Sequence, residues 1–282
     1  MVPHRCRGEC RRHWLGLGTV RIATWNVNSI RSRVDRVTDW LVRSEVDVLA
    51  LQETKAREDQ FPHDRFRELG YEVAHHGLSQ WNGVAIVSRV GIEDVRIGFD
   101  GMPGWGDPAA AEARAIGALC GGVRIWSLYI PNGRTLEDPH LLYKLDWLGA
   151  LAEAGRGWLA ADPAAPIALL GDWNIAPFDE DVWSVPFYEG RTHTSPRERA
   201  AFQGVVDAGF ADVVRPHCPG PGVYTYWDYV QLRFQKGRGM RIDFALCSPA
   251  LARRVTGAAI DREARKGKGA SDHAPVVFEI EG

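Results

Sequence analysis

The sequence predicts an α+β fold of layered helices and sheets, and three observations carry that expectation. Short β-branched runs ending in polar residues recur along the whole chain, a glycine pair separates two of them, and amphipathic stretches lie between others. Strands are expected over 22–27, 47–52, 84–87, 123–130, 167–170, 242–246 and 276–280. Gly121-Gly122 joins 116–120 to 123–130, and two glycines in a row can take the positive φ angles of a primed hairpin turn, so these two strands should pair antiparallel. Val34, Val37 and Leu41 share one helical face, and Leu141, Leu145, Leu148 and Ala152 share another, opened by Asp138 as cap and Pro139 in the first turn. A third helix starts at the capping box Ser195-Pro196-Arg197-Glu198 and stops at Gly209. The loops 99–107, 176–194 and 215–222 are too short to be domain linkers, so one domain is expected over 20–282.

The 282 residues are enough to bury a large core, and 45% hydrophobic with 25% charged residues excludes intrinsic disorder for the bulk of the chain. Every apolar run falls far short of the roughly 18 residues that a membrane span needs, so no membrane partner is expected. Thirty-four basic against 36 acidic residues nearly cancel, and any polyanion must be held by a local patch. Five sparse cysteines, Cys6, Cys10, Cys120, Cys218 and Cys247, form no CxxC pair and fit a reducing cytoplasm. Residues 1–18 carry four arginines against one glutamate and no apolar region of a secretory signal, so 1–19 reads as a disordered basic extension, with natural translation expected from Val20. Cys6 and Cys10 with His4 and His13 lack the paired spacing of a zinc module.

Acids and amides stand at the ends of the apolar runs, where a layered fold exposes side chains on a rigid rim: Asn26, Asn28, Glu53, Tyr129, Asn132, Asp172, Asn174, Asp272 and His273, with Asp243 inside a hydrophobic strand. Taken singly, Asp172 or Asn26 is an ordinary turn residue and His273 an ordinary structural histidine. Together they are different, because burying one carboxylate costs several kcal/mol unless it is paired or metal-bound. Converging acids call for a cation. Oxygen donors suit a hard ion such as Mg²⁺ or Mn²⁺ and argue against structural zinc. Phosphate chemistry follows, with Asp172 orienting or deprotonating water and Asn174, Tyr129 and His273 donating to the developing charge.

In order and context, eight segments carry a resemblance: Trp25 to Arg31, Leu51 to Lys55, Asn82 to Ile86, Tyr129 to Gly133, Gly171 to Pro177, Tyr224 to Tyr229, Arg241 to Asp243, and Ser271 to Pro275. The chain is similar to the exonuclease III family of abasic-site DNA endonucleases, within the endonuclease/exonuclease/phosphatase superfamily, from about residue 20 to 279. The resemblance implies a DNase I-like four-layer α-β-β-α sandwich with its site at one rim of the sheets. It implies Glu53 as main metal ligand with Asn26 and Asp272 near it, Asp172 as the group that activates water, and Asn174 and Tyr129 on the scissile phosphate. His273 would bind that phosphate with Asp243 on its other nitrogen, and Asp172, Asn174 and His273 are also admitted to the metal site. Asn28 stands where some relatives have aspartate, which favours one ion. Tyr226, Trp227, Met240 and Ile242 would line an apolar pocket for a flipped-out baseless sugar, selecting by size. Arg134, with Arg31, Lys55, Lys144, Arg238 and Lys268, is a candidate for phosphate contact.

The implied activity is Mg²⁺-dependent incision of duplex DNA 5′ to abasic sites, leaving a 3′ hydroxyl, with 3′-to-5′ exonuclease and 3′-end cleaning. A monomer acting on duplex DNA with abasic sites or blocked 3′ ends is expected. A phosphodiesterase or phosphomonoesterase of the same fold would lack the 224–243 segment, and a catalytically silent scaffold would have lost Glu53, Asp172 or His273. Neither loss is present. The chain has no GxxxxGK[ST] phosphate loop and no HExxH helix.

Overall fold

The computed structural model describes residues 18–282. The expected basic extension, with Cys6, Cys10, His4 and His13, lies outside the described residues except for Gly18 and Thr19, and Thr19 already pairs with Glu281.

Two six-stranded mixed sheets form from the described residues. The first runs β11 (Val255–Ile260), β12 (Val276–Glu281), β1 (Thr19–Asn26), β2 (Val48–Gln52), β4 (Val84–Ser88), β3 (Glu72–His76). The second runs β5 (Glu93–Ile97), β6 (Ala115–Cys120), β7 (Val123–Tyr129), β8 (Ile167–Asp172), β10 (Asp243–Cys247), β9 (Ala211–Asp212). The long helices are α1 (Ile30–Ser44), α3 (Pro139–Ala161) and α5 (Pro196–Asp207), and short ones are α2 (His63–Arg67), α4 (Val185–Tyr188) and α6 (Pro249–Ala252).

Period-two alternation explains the layers. Val48 and Ala50 of β2 face Ala168 and Leu170 of β8 across the sandwich, while Leu49 and Leu51 turn outward onto Val37, Trp40 and Leu41 of α1. On the other side Ile167, Leu169, Phe244 and Leu246 pack under Trp147, Leu148 and Leu151 of α3 and Phe202 and Val205 of α5. The order is helix, sheet, sheet, helix, as the motifs imply. Each fully buried Leu, Ile, Val or Phe contributes roughly 1.5–3 kcal/mol, which is why central strands here are apolar on both faces.

The local signals act as expected. Gly121 and Gly122 adopt φ 54° and 92° in the β6–β7 hairpin. Asp138 accepts from the His140 N–H at the start of α3, and Ser195 and Glu198 form the reciprocal capping box of α5. Cys120, Cys218 and Cys247 are free thiols. Among the described residues no helix is long and apolar enough to cross a membrane.

Gly171 fixes the approach of β8 to β7. A Cβ there would sit 1.8 Å from the Leu128 carbonyl oxygen, on the residue preceding Asp172. Gly171→Ala should therefore lower stability by about 2–4 kcal/mol, read as a reduced urea midpoint. An unchanged midpoint would show that the two strands can separate freely at this point.

Candidate active site

Within the first sheet β1 and β2 run parallel, and within the second β7 and β8 do, so each sheet presents a pair of strand ends on one edge. The Asn26 Nδ2, at the end of β1, donates to Asp172 Oδ2 at 2.9 Å, at the end of β8, and to Glu53 Oε1 at 2.8 Å, just past β2. This amide joins the two sheets at the rim. Below it, Gln52 Nε2 donates to Ser127 Oγ at 3.0 Å, and Ser127 Oγ donates to the Leu51 carbonyl at 2.8 Å, a second buried polar link between β2 and β7.

Asp243, the first residue of antiparallel β10, stands opposite Asp172 in register. The 271–273 segment is fastened to β1, with Ser271 Oγ donating to the Asn26 carbonyl at 2.7 Å and Trp25 Nε1 to the His273 carbonyl at 3.1 Å. His273 thereby lies between two acids. Its Nδ1 is 2.8 Å from Asp243 Oδ2 and its Nε2 is 3.8 Å from Asp172 Oδ2. Burial opposes a charged ring, but Asp243 and then Asp172 outweigh it and lift His273 to about 10, so it is an imidazolium at neutral pH.

Burial pushes Asp172 up to about 7 against the pull of His273, with Asp243 and Glu53 adding to the rise. Its Oδ1 accepts the Asn174 N–H at 2.9 Å. Burial also works to raise Glu53, yet Lys55, with its Nζ 2.7 Å from the carboxylate, and Asn26 hold it below the usual range. Tyr129 is driven well above its ordinary value by burial and by Glu53, so its hydroxyl remains a donor. The Arg114 guanidinium lies 4.9 Å over that ring.

Glu53, Asp172 and His273 each offer a ligand atom within 4.8 Å of the others. Asp243 Oδ1 is buried with no partner among the described residues. The carboxylates of Glu53 and Asp172 are oxygen donors that fit a hard cation, whereas protonated His273 has no free lone pair and faces the cluster as a hydrogen-bond donor. Asn26 turns its Nδ2 toward these acids as a hydrogen-bond donor while its Oδ1 accepts the Asn28 N–H at 3.0 Å, so it braces the carboxylates and offers no oxygen to a cation. Asp272 stands outside the trio, accepting from Asn28 Nδ2 at 3.0 Å, and Asn28 Oδ1 accepts from Lys55 Nζ at 2.6 Å.

Asn174 has a left-handed backbone, φ 52°, as do Asn28, Glu53 and Lys55 at 46°, 51° and 50°. Such conformations cost on the order of 1 kcal/mol or more and persist where the surroundings impose them, typically at functional sites. Asn174 Nδ2 donates to the Ile130 carbonyl at 3.0 Å, and its Oδ1 accepts from Asn132 Nδ2 at 3.0 Å and lies 3.2 Å from His193 Nε2.

Beside the acids a cavity of about 470 Å³ is lined by Arg134, His193, Tyr226 and Met240 among others. The Tyr226 ring is 4.9 Å from that of His273, and Tyr226 and Met240 exchange backbone hydrogen bonds. Ile242 is buried behind Met240 with Val182 and Tyr188. Trp227 is packed with Tyr224, Phe234 and Ala274 in a separate cluster, because successive residues of an extended segment point to opposite sides. The cavity therefore takes Tyr226, Met240 and Arg134 and leaves Trp227 and Ile242 behind its wall.

Of the other basic residues, Lys144 is wholly buried and paired with Glu198, which removes it from the candidates for phosphate contact. Lys55 is engaged by Glu53, Arg238 lies 4.8 Å from the Trp183 ring, and Arg31 and Lys268 are exposed. His193 and Arg114 escaped the sequence reading, since their partners Asn174 and Tyr129 are tertiary neighbours. The capping box two residues after His193 was the available signal, because it fixes that loop against α5.

The family model for the endonuclease/exonuclease/phosphatase family matches residues 23–273. The chain belongs to that family. It is 29% identical over 276 residues to exodeoxyribonuclease III of Haemophilus influenzae, covering 93% of this chain and all of the relative. A solved 3′ phosphatase from Neisseria bound to a product DNA hairpin is 37% identical with a TM-score of 0.87, over 93% of this chain and all of that one. An AP endonuclease from Archaeoglobus fulgidus is 35% identical with a TM-score of 0.85, over 92% and 98%. These family neighbours lie on the exonuclease III branch that the eight segments pointed to.

Asp243→Asn should lower the His273 pKa and move the alkaline limb of the rate profile at least about one unit toward acid, measured as turnover against pH. The sign for stability follows from the raised value: the imidazolium stabilises the fold fully below 6.5, and that contribution is lost as pH rises through about 10, so the variant should be weakest on the acid side. Millimolar Mn²⁺ should raise the melting temperature of the wild type, by mass action worth about 2.7 kcal/mol at a hundredfold excess over Kd, and should not do so for Glu53→Gln. A wild type indifferent to the ion would take the metal out of this cluster.

Proposed function

We propose that the chain is a Mg²⁺- or Mn²⁺-dependent DNA-repair phosphodiesterase that breaks P–O3′ bonds in duplex DNA and leaves a 3′ hydroxyl. It incises 5′ to abasic sites and trims blocked and ordinary 3′ ends. The observation that carries this reading is the Glu53–Asp172–His273 cluster, its Asp172 and His273 buried and its Glu53 half-buried, with Asp243 behind the imidazole, on the fold of the exonuclease III branch.

Glu53 and Asp172 would hold the divalent ion, which would supply positive charge to the scissile phosphate when bound. The protein's own groups divide the remaining work. Asp172, lifted to about 7, is matched to take a proton from the attacking water near neutral pH, and two donors, the Asn174 N–H and Asn26 Nδ2, hold its carboxylate in place. The His273 imidazolium, oriented by Asp243, and the Tyr129 hydroxyl donate to the oxygens on which charge develops. Asn174 binds the phosphate from the other side. The new P–O bond comes from water, and the 3′ oxygen leaves as the hydroxyl. Incision at an abasic site, release of a terminal nucleotide and removal of a 3′ phosphate all break this one bond, so one centre serves all three.

The cavity lined by Tyr226, Met240 and Arg134 receives the group on the far side of that bond. A weighting toward 3′-end processing is favoured by the 37% identity to the Neisseria 3′ phosphatase. A cytoplasmic monomer belongs to the same reading, and the free thiols of Cys120, Cys218 and Cys247 suit a reducing compartment.

A 5′-labelled duplex with one abasic analogue, incubated beside an undamaged duplex with Mg²⁺ or a chelator, tests the proposal. Metal-dependent incision at the lesion leaving a 3′ hydroxyl is expected. Shortening of both duplexes from the 3′ end alone would make the enzyme chiefly an exonuclease, and no cleavage would defeat the reading. Asp172→Asn should bind the same duplex with near-unchanged affinity while its turnover falls about 10²- to 10⁴-fold.

A further inference from the structure

Three polar side chains, Asn132, Asn174 and His193, meet beside the acids from three separate loops, following β7, following β8 and preceding α5. Asn132 Nδ2 donates to Asn174 Oδ1 at 3.0 Å, and His193 Nε2 lies 3.2 Å from that oxygen and 3.3 Å from Asn132 Nδ2. Parallel pairing of β7 with β8 sets the first two loops side by side, and a single buried ion pair ties all three together.

Lys144 of α3 and Glu198 of α5 are fully buried and paired at 2.5 Å. The Lys144 ammonium also donates to the backbone carbonyls of Asn132 at 3.2 Å and Asn174 at 2.7 Å. Glu198 Oε1 accepts the His193 N–H at 2.9 Å and the Thr192 hydroxyl at 2.8 Å, and Oε2 accepts the Ser195 hydroxyl at 2.7 Å. Each of the three polar residues thus has its backbone tied to one member of the same pair. Gly133 leaves the room for it, since a Cβ there would stand 3.2 Å from Lys144 Cδ and 3.0 Å from Thr192 Oγ1.

We propose that the Lys144–Glu198 pair is a positioning device for catalysis, setting the spacing of Asn132, Asn174 and His193, with no contact to DNA of its own. The role rests on the phosphodiesterase reading above. An apolar pair of similar volume would fill the space between α3 and α5 equally well, so packing alone gives no reason for two buried charges. What an apolar pair cannot do is hold two carbonyls and an amide N–H in one geometry.

Single-turnover cleavage and DNA affinity, measured with melting temperature on Lys144→Met, Glu198→Gln and the double variant, separate positioning from stability. Each single variant leaves a buried group without its partner and should melt lower, and the double should regain most of that loss. Cleavage should nonetheless stay about 10- to 100-fold below wild type in the double, with DNA affinity within about twofold, because displaced groups slow the chemical step more than they weaken binding. Recovery of wild-type cleavage together with melting temperature in the double would reduce the pair to a structural element and overturn the proposal. If a single variant does not fold, the double still decides. A wild type that cleaves neither duplex would instead defeat the phosphodiesterase reading itself, a result distinct from equal cleavage by wild type and variants.

Discussion

Glu53, Asp172 and Asp243 are held out of water around one imidazole, and their mutual repulsion is the constraint that the rest of the rim answers. Left to themselves, buried carboxylates protonate or separate. Here separation is blocked, because each is fixed by a strand end whose remaining length lies in a packed core, and the strain is relieved instead by the raised pKa of Asp172. Asp172 and Asp243 are in register on neighbouring strands, and Asn26 links Asp172 to Glu53 across the sheets. His273 accordingly carries charge well above its ordinary range, and Asp172 sits near neutrality, where it can exchange a proton. The same repulsion that makes the site expensive makes it receptive to a cation.

The loops around the acids serve geometry more than surface. Left-handed backbone at Asn28, Glu53, Lys55 and Asn174 turns side chains inward immediately after the strands end. Buried polar groups then fix the turns, as in the anchoring of the 271–273 segment by Asn26 and Trp25. Charged side chains that looked like DNA contacts in a linear reading are partly spent on this task, Lys144 entirely and Lys55 in part. On the proposed function, DNA affinity then falls to a few exposed cations in a chain with almost no net charge, and discrimination to the shape of the cavity beside His273.

Strand legibility followed position in the sheets. The expected strands β1, β2, β4, β7, β8, β10 and β12, with β6 from its hairpin, are the interior strands, buried on both faces and therefore β-branched and apolar. The four strands missed, β3, β5, β9 and β11, are the four sheet edges. Glu93–Ile97 is exposed throughout, and Ala211–Asp212 is only two residues long, so neither leaves an apolar run to read. Edges are held by backbone pairing to a neighbour, which needs no particular side chain, and charges on them discourage pairing with other chains.

At the site, Asn26, Glu53, Tyr129, Asp172, Asp243 and His273 were legible because polar residues ending apolar strands are costly and so stand out. The sequence by itself determined the helix caps, the Gly-Gly hairpin, the interior strands and the chemical character of the rim, each of which depends on residues within a few positions of one another. Only the tertiary structure decided which acids lie together, that Asp272 stands apart from them, that Trp227 turns away from the cavity while Tyr226 faces it, and that Lys144 is paired inside the protein. The physical reason is the same in each case. Propensity, capping and alternation are local energies written in adjacent residues, whereas desolvation and charge pairing depend on distances between segments far apart in the chain, which are fixed once the two sheets have packed.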